Sequence, residues 1–212
     1  MSSDKITYKM IILGDTAVGK TSIFKKITTE EFDPMVISTI GIDKRTLTIN
    51  INTPEEGEKE CEIYLYDTAG EERYRTISIS YFRDSKGLLI MYDITKNESF
   101  QNIDGWLQNI KDSLGEDNSD YLMILLGNKL DLVNIDSSKR EIETEEAKNY
   151  CEKNNIFWGG ECSVKDISIE SLKDMFKLFI EEIYKKVGNN IVRRNSSVLV
   201  TSKTRKTTKK FC

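Results

Sequence analysis

Histidine does not occur among the 212 residues, so any catalysis in this chain proceeds without imidazole. Cysteine is sparse and unpatterned. Cys61, Cys151, Cys162 and Cys212 form no C-x-x-C pair and no zinc spacing, so they read as reduced cytosolic thiols rather than a disulfide framework or a metal cage. Long apolar runs are missing too. The longest, near 88–92 and 122–126, are far too short to cross a bilayer, and residues 1–9 lack the apolar core and cleavage site of an export signal. The end of the chain, finally, lacks acid. From Asn189 onward there are seven basic residues and no acidic one, so the net charge of −4 leaves residues 1–188 at −11.

An acidic globule with a basic tail is the organisation this implies: one domain over 1–188 and a flexible basic tail over 189–212, where Ser, Thr, Asn and Lys dominate. Nucleic acid is not the expected partner, because the acidic body repels the phosphates that the tail attracts. Anionic lipid fits the tail better.

Apolar runs alternate with helical patterns, which predicts βαβ units and an α/β fold. Strands are expected near 5–13, 41–51, 60–66, 86–93, 121–127 and 156–160, and helices near 19–27, 78–84, 97–114, 143–153 and 169–187. Residues 52–59, with Pro54 and Gly57, form a hairpin turn, so strands two and three run antiparallel while the other connections are crossovers. In the last helix Leu172, Phe176, Phe179, Ile180, Ile183 and Val187 recur at helical spacing and mark a core-facing stripe.

Chemistry concentrates in four short segments. Gly14-Asp15-Thr16-Ala17-Val18-Gly19-Lys20-Thr21, followed by Ser22, is a loop whose backbone amides wrap a polyphosphate at a helix amino terminus. Lys20 there reaches the β and γ phosphates, and the Thr21 hydroxyl reaches Mg²⁺. Asp67-Thr68-Ala69-Gly70 follows an apolar strand; the Asp67 carboxylate suits Mg²⁺, and the Gly70 amide can meet a γ-phosphate because no Cβ blocks the approach. Asn128-Lys129-Leu130-Asp131 closes another apolar strand and selects the base. Guanine presents N1–H and an exocyclic amine side by side to one carboxylate, whereas adenine offers a lone pair at N1, so Asp131 favours GTP and GDP over their adenine counterparts. Asn128 can tie adjacent loops, and the Lys129 stem can lie over the base. The weakest signal, Glu161-Cys162-Ser163-Val164-Lys165, can supply amides to the guanine carbonyl oxygen. An ATP-dependent nucleotide kinase shares the phosphate loop, but residues 128–131 argue against it.

With these segments in order, the chain resembles a Ras-superfamily small GTPase, and specifically the Rab branch. Supporting strings are STIGID at 38–43, YDTAGEERYRTI at 66–77, YFRDSKG at 81–87 and MYDIT at 91–95. The resemblance implies a three-layer P-loop NTPase fold, a mostly parallel six-stranded sheet with one antiparallel strand and helices on both faces. It implies a GTP-hydrolysing switch that recruits effectors in vesicle trafficking, a Mg²⁺ cofactor, and a monomer. Thr39 resembles the switch threonine that binds Mg²⁺ and senses the γ-phosphate, and Phe32 the aromatic that packs on guanine. Catalysis would draw on Glu71, Lys20, Thr39 and Gly70, and effectors would read Ile40, Gly41, Ile42, Asp43, Lys44, Tyr66 and Tyr81. Implied partners are an exchange factor, a GTPase-activating protein, and a GDP-dissociation inhibitor or escort protein. The implied location is cytoplasmic, on the cytoplasmic face of an intracellular membrane.

Four departures from the family pattern carry expectations of their own. Glu71 replaces the water-orienting glutamine, which predicts slow intrinsic turnover and leaves open a GTP-binding scaffold that hardly hydrolyses. Lys44 and Tyr66 stand where phenylalanine and tryptophan are usual, which predicts a divergent effector set. The chain ends at a single Cys212 where two cysteines are more common. By resemblance Cys212 is a geranylgeranylation site, which needs the basic tail as second membrane signal.

Overall fold

The computed structural model describes residues 6–33, 39, 41–55, 57–68, 82–115, 117 and 119–204, with side chains to 188. Its centre is β1 (Ile6–Leu13), whose alternating residues serve two cores: Met10 and Ile12 pack to one side, Ile11 and Leu13 to the other. A strand buried on both faces must lie inside a covered parallel sheet. The order is β2-β3-β1-β4-β5-β6, with β2 (Ile42–Thr53) antiparallel to β3 (Gly57–Thr68) and the remaining pairs parallel. β4 (Gly87–Asp93), β5 (Leu122–Asn128) and β6 (Phe157–Glu161) complete it.

Helix α1 (Lys20–Thr29) and the terminal helix, α6 (Ile169–Thr204), cover one face, and the expected stripe from Leu172 to Val187 is buried there. α2 (Asn97–Gln101), α3 (Ile103–Leu114) and α5 (Thr144–Asn154) cover the other through Phe100, Ile103, Trp106, Ile110, Ala147 and Cys151. This is the expected three-layer architecture with one antiparallel strand.

Several boundaries differ from the sequence reading. The β2–β3 hairpin is tighter than 52–59, because Thr53 pairs with Gly57, whose φ of +73° a side chain would strain. The helix expected over 97–114 is interrupted at Asn102, whose side chain is drawn out to the loop after β1. A short helix, α4 (Leu130–Ile135), was not anticipated; its six residues are too few to show a helical period. The last helix does not stop at 187. Its backbone continues to Thr204 through a segment without proline or glycine after Gly188, although Val187 is the last core residue among those described. The helix expected at 78–84 falls largely outside the described residues.

Candidate functional site

β1, β3, β4 and β5 all end at the same edge of the sheet, where β1 lies between strands that follow it in opposite directions. Open α/β sheets present their loops for ligands at such a point. The loop from Gly14 to Gly19 leaves β1 there and turns into α1. Its path depends on two glycines: Gly14 has φ +132° and Gly19 φ +105°, and a Cβ would lie 2.2 Å from the Met91 carbonyl oxygen or 2.2 Å from Asn128 Nδ2, respectively. Ala17 also has a positive φ of +64°. Gly19 caps α1 without a side-chain hydrogen bond, so the helix's first amides face the loop.

Lys20 opens α1 and is almost wholly buried, with Nζ donating to the Asp15 carbonyl oxygen at 2.7 Å. Burial pulls its pKa down to about 8, against the opposing pull of Asp67 and Asp15. An ammonium in so dry a place calls for a strong anion. One residue on, Thr21 Oγ1 donates to Asp67 Oδ2 at 2.6 Å and lies 2.6 Å from Thr39 Oγ1, which itself reaches Asp67 Oδ2 at 3.2 Å. Asp67 is fully buried. Burial pushes its carboxyl up, although the Thr21 bond and Lys20 favour the charged form, and Oδ1 has no hydrogen-bond partner. Two hydroxyls and a carboxylate, one oxygen of it orphaned, form a hard oxygen donor set that fits Mg²⁺.

Asn128, at the end of β5, joins two loops: Nδ2 donates to the Val18 carbonyl at 2.8 Å, and Oδ1 accepts from the Val164 amide at 3.0 Å. The expected tie between loops is present. Lys129 adopts a left-handed φ of +74°, and its ammonium lies 2.7 Å from the buried Asp93 carboxylate at the end of β4. Asp131 sits half-buried in the first turn of α4. Ser163 and Val164 are buried, Lys165 is exposed, and Phe32 is half-buried against the core.

The loop segments predicted separately therefore converge at one sheet edge. Among the predicted residues, Asp15, Thr16, Ala17, Val18 and Ser22 fall in the same loop and helix start. Gly41, Ile42, Asp43, Lys44 and Tyr66 lie on the β2–β3 side. Lys44 is not a lone cation there, because its Nζ stands 4.1 Å from the centre of the Tyr64 ring and 5.6 Å from that of Tyr66. Ile40, Gly70, Glu71, Tyr81 and Cys212 lie outside the described residues.

Sequence reasoning missed the residues behind the site. Asp15 accepts from Asn102 Nδ2 at 2.6 Å and from Trp106 Nε1 at 3.0 Å, so its carboxylate faces the α2–α3 junction. Arg140 grips Glu161 through two bonds of 2.9 and 2.7 Å and fixes the base of the 161–165 loop. Lys26 offered a usable signal, a lysine inside the apolar stripe of Ile23, Phe24 and Ile27. For Asn102 and Arg140 no local pattern marked the role.

The family model of the Ras family matches residues 9–185. Among curated relatives, the Ras-related protein Rab11A of Lotus japonicus is 34% identical over 89% of this chain and 75% of its own length. The Ras-related protein rab-11.1 of Caenorhabditis elegans is 34% identical over 87% and 81%, respectively. The GTP-binding protein ypt3 of Schizosaccharomyces pombe is 35% identical over 86% and 78%.

Proposed function

This chain belongs to the Ras family, as a small GTPase of the Rab type, and from that premise we propose that the loops converging on β1, β3, β5 and β6 are its guanine-nucleotide and Mg²⁺ site. The protein is a GTP-binding, GTP-hydrolysing switch of vesicle trafficking. Proteins of this type work with nucleotide and Mg²⁺, regulators and effectors. The alternative of a non-hydrolysing scaffold is not favoured.

In our reading, residues 14–22 cradle the phosphates, and the buried Lys20 ammonium exchanges its bond to the Asp15 carbonyl for the β and γ oxygens. Asp131 reads the guanine N1–H and amine, while Asn128 holds the phosphate loop and the 163–165 loop at a fixed spacing. Thr21, Thr39 and Asp67 would hold Mg²⁺, directly or through water. The ion would neutralise charge on the phosphates. Because Thr39 belongs to a loop separate from Thr21, loss of the γ-phosphate would free it, and the loop would relax. Gly70 would sense the same phosphate, and Glu71 would stand beside the attacking water.

The effector face in this reading comprises Ile40 to Lys44, Tyr66 and Tyr81. Lys44 already rests on two tyrosine rings, a contact of about 0.5–1 kcal/mol at an exposed site. A partner that covers it must tolerate a cation in place of an apolar anchor. Exchange factor, activating protein and dissociation inhibitor or escort protein are assigned by family. Prenylation of Cys212 beside a basic tail is assigned likewise, giving reversible attachment to the cytoplasmic face of a membrane. Among the described residues no helix is long and apolar enough to span one.

The observation that carries this proposal is the meeting of Thr21, Thr39 and the orphaned Asp67 oxygen beside Lys20. Chelating Mg²⁺ with EDTA should therefore speed GDP release from the wild type by about a hundredfold or more, the effect of removing a charge-neutralising ligand. Asp67→Ala should release GDP fast with or without EDTA. An EDTA-insensitive wild type, or one binding ADP as well as GDP, refutes it.

A further inference from the structure

Lys26 is a charged residue on the buried stripe of α1, only 6% exposed. Its ammonium reaches the loop that follows β6, where Nζ donates to the Val164 carbonyl at 2.8 Å and the Lys165 carbonyl at 2.9 Å, and it stands 5.5 Å from the centre of the Phe32 ring. One side chain thereby links the helix after the phosphate loop to the loop that offers amides to the base.

The direction of those amides follows from peptide geometry. In a trans peptide unit the C=O and the next N–H are antiparallel, so drawing the Val164 carbonyl toward α1 turns the Lys165 N–H to the opposite side of the loop. Neighbouring amides are already engaged: Val164 with Asn128 Oδ1 at 3.0 Å, Asp166 and Ile167 with the Ser163 carbonyl at 3.1 and 2.8 Å. The Lys165 amide has no acceptor among the described residues. It is the donor this loop holds ready.

We propose that Lys26 is a positioning residue for base recognition, which aims the Lys165 N–H at the carbonyl oxygen on C6 of guanine by holding the Val164 and Lys165 carbonyls from behind. The inference rests on the guanine-nucleotide reading above and assigns a base-selecting role to a residue outside the four sequence segments. Without the ammonium, two carbonyls lose their partner, and the loop gains by rotating them toward water.

The test measures release of GDP, 6-thio-GDP and IDP from the full-length protein as wild type, Lys26→Met and Lys26→Arg. Sulfur in 6-thio-GDP is a poorer acceptor at the position the Lys165 amide reads, whereas IDP lacks the amine that Asp131 reads. Wild type should release 6-thio-GDP about tenfold faster than GDP, the scale of one hydrogen bond. In Lys26→Met that ratio should fall toward one, GDP should leave about tenfold faster, and the IDP-to-GDP ratio should stay at its wild-type value. Lys26→Arg, with donors enough for both carbonyls, should restore the first ratio. If Lys26→Met does not fold, Lys26→Leu, which likewise has no donor, reports the same ratios. A wild-type 6-thio ratio of one, or variants that change all three rates by a common factor or not at all, overturns the inference. Failure to prefer GDP to ADP in the wild type would instead sink the base-site reading beneath it.

Discussion

A carboxylate at position 71 would add negative charge beside phosphates already faced by Asp67, whose burial pushes its own carboxyl toward protonation. It cannot donate a hydrogen bond, and an orienting residue must hold the water from both sides of that exchange. Glu71 thus argues for slow intrinsic turnover. In single-turnover assays, Glu71→Gln should hydrolyse bound GTP at least about tenfold faster than the wild type, part of the roughly 10²- to 10⁴-fold that a positioned general acid or base contributes. Equal rates would dismiss Glu71 as a determinant. At this scale the sequence was most legible where a residue type admits few roles. Gly14 and Gly19 could be named from spacing because no side chain survives their φ angles and close contacts, and Asp67 because an acid closing an apolar strand stands out, and the structure buries it fully. What Lys26, Asn102 and Arg140 do was not legible, since each acts on a partner at least twenty residues away.

Among the elements, the break between α2 and α3 has the clearest consequence. If the loop wraps polyphosphate as proposed, an acid in it would be a liability, and the Asp15 carboxylate turns onto Asn102 and Trp106. The interruption at Asn102 sets that amide at 2.6 Å from Asp15, while Trp106, one turn later, donates from the same side. Losing either donor should loosen the phosphate loop. Asn102→Ala should speed GDP release by about five- to tenfold, and its combination with Asp15→Ala should fall short of the product of the two single effects, because residues sharing one bond couple by about 0.5–3 kcal/mol. Strict additivity in this cycle would show that the two contacts act separately. The sequence of 97–114 foretold a helix, but could not show the interruption, which is decided by a loop more than eighty residues upstream. The sheet fared similarly. Strand identities, the antiparallel pair and the convergence of loop ends follow from alternation and turn chemistry, whereas α4 was too short to register.

For the whole molecule the governing quantity is the separation of charge, −11 over residues 1–188 against seven cations and no acid beyond them. A body of that sign is repelled by an anionic leaflet and a tail of the opposite sign is drawn to it, so the chain should approach a membrane tail first. One prenyl chain on Cys212, as proposed, would give only marginal attachment, and cations near the surface would add about 1 kcal/mol each. The tail should therefore decide which membranes hold the protein. Prenylated protein should bind vesicles containing phosphatidylserine much more tightly than neutral vesicles at low salt. That preference should shrink as salt rises, because the Debye length falls from about 30 Å at 0.01 M to about 8 Å at physiological strength. Replacing Lys203, Arg205, Lys206, Lys209 and Lys210 by glutamine should abolish the preference while leaving neutral-vesicle binding intact, and Cys212→Ser should abolish both. Binding that ignores lipid charge in the wild type would show that the lipid anchor works without the tail, and a native mass without an added isoprenoid would remove the anchor itself.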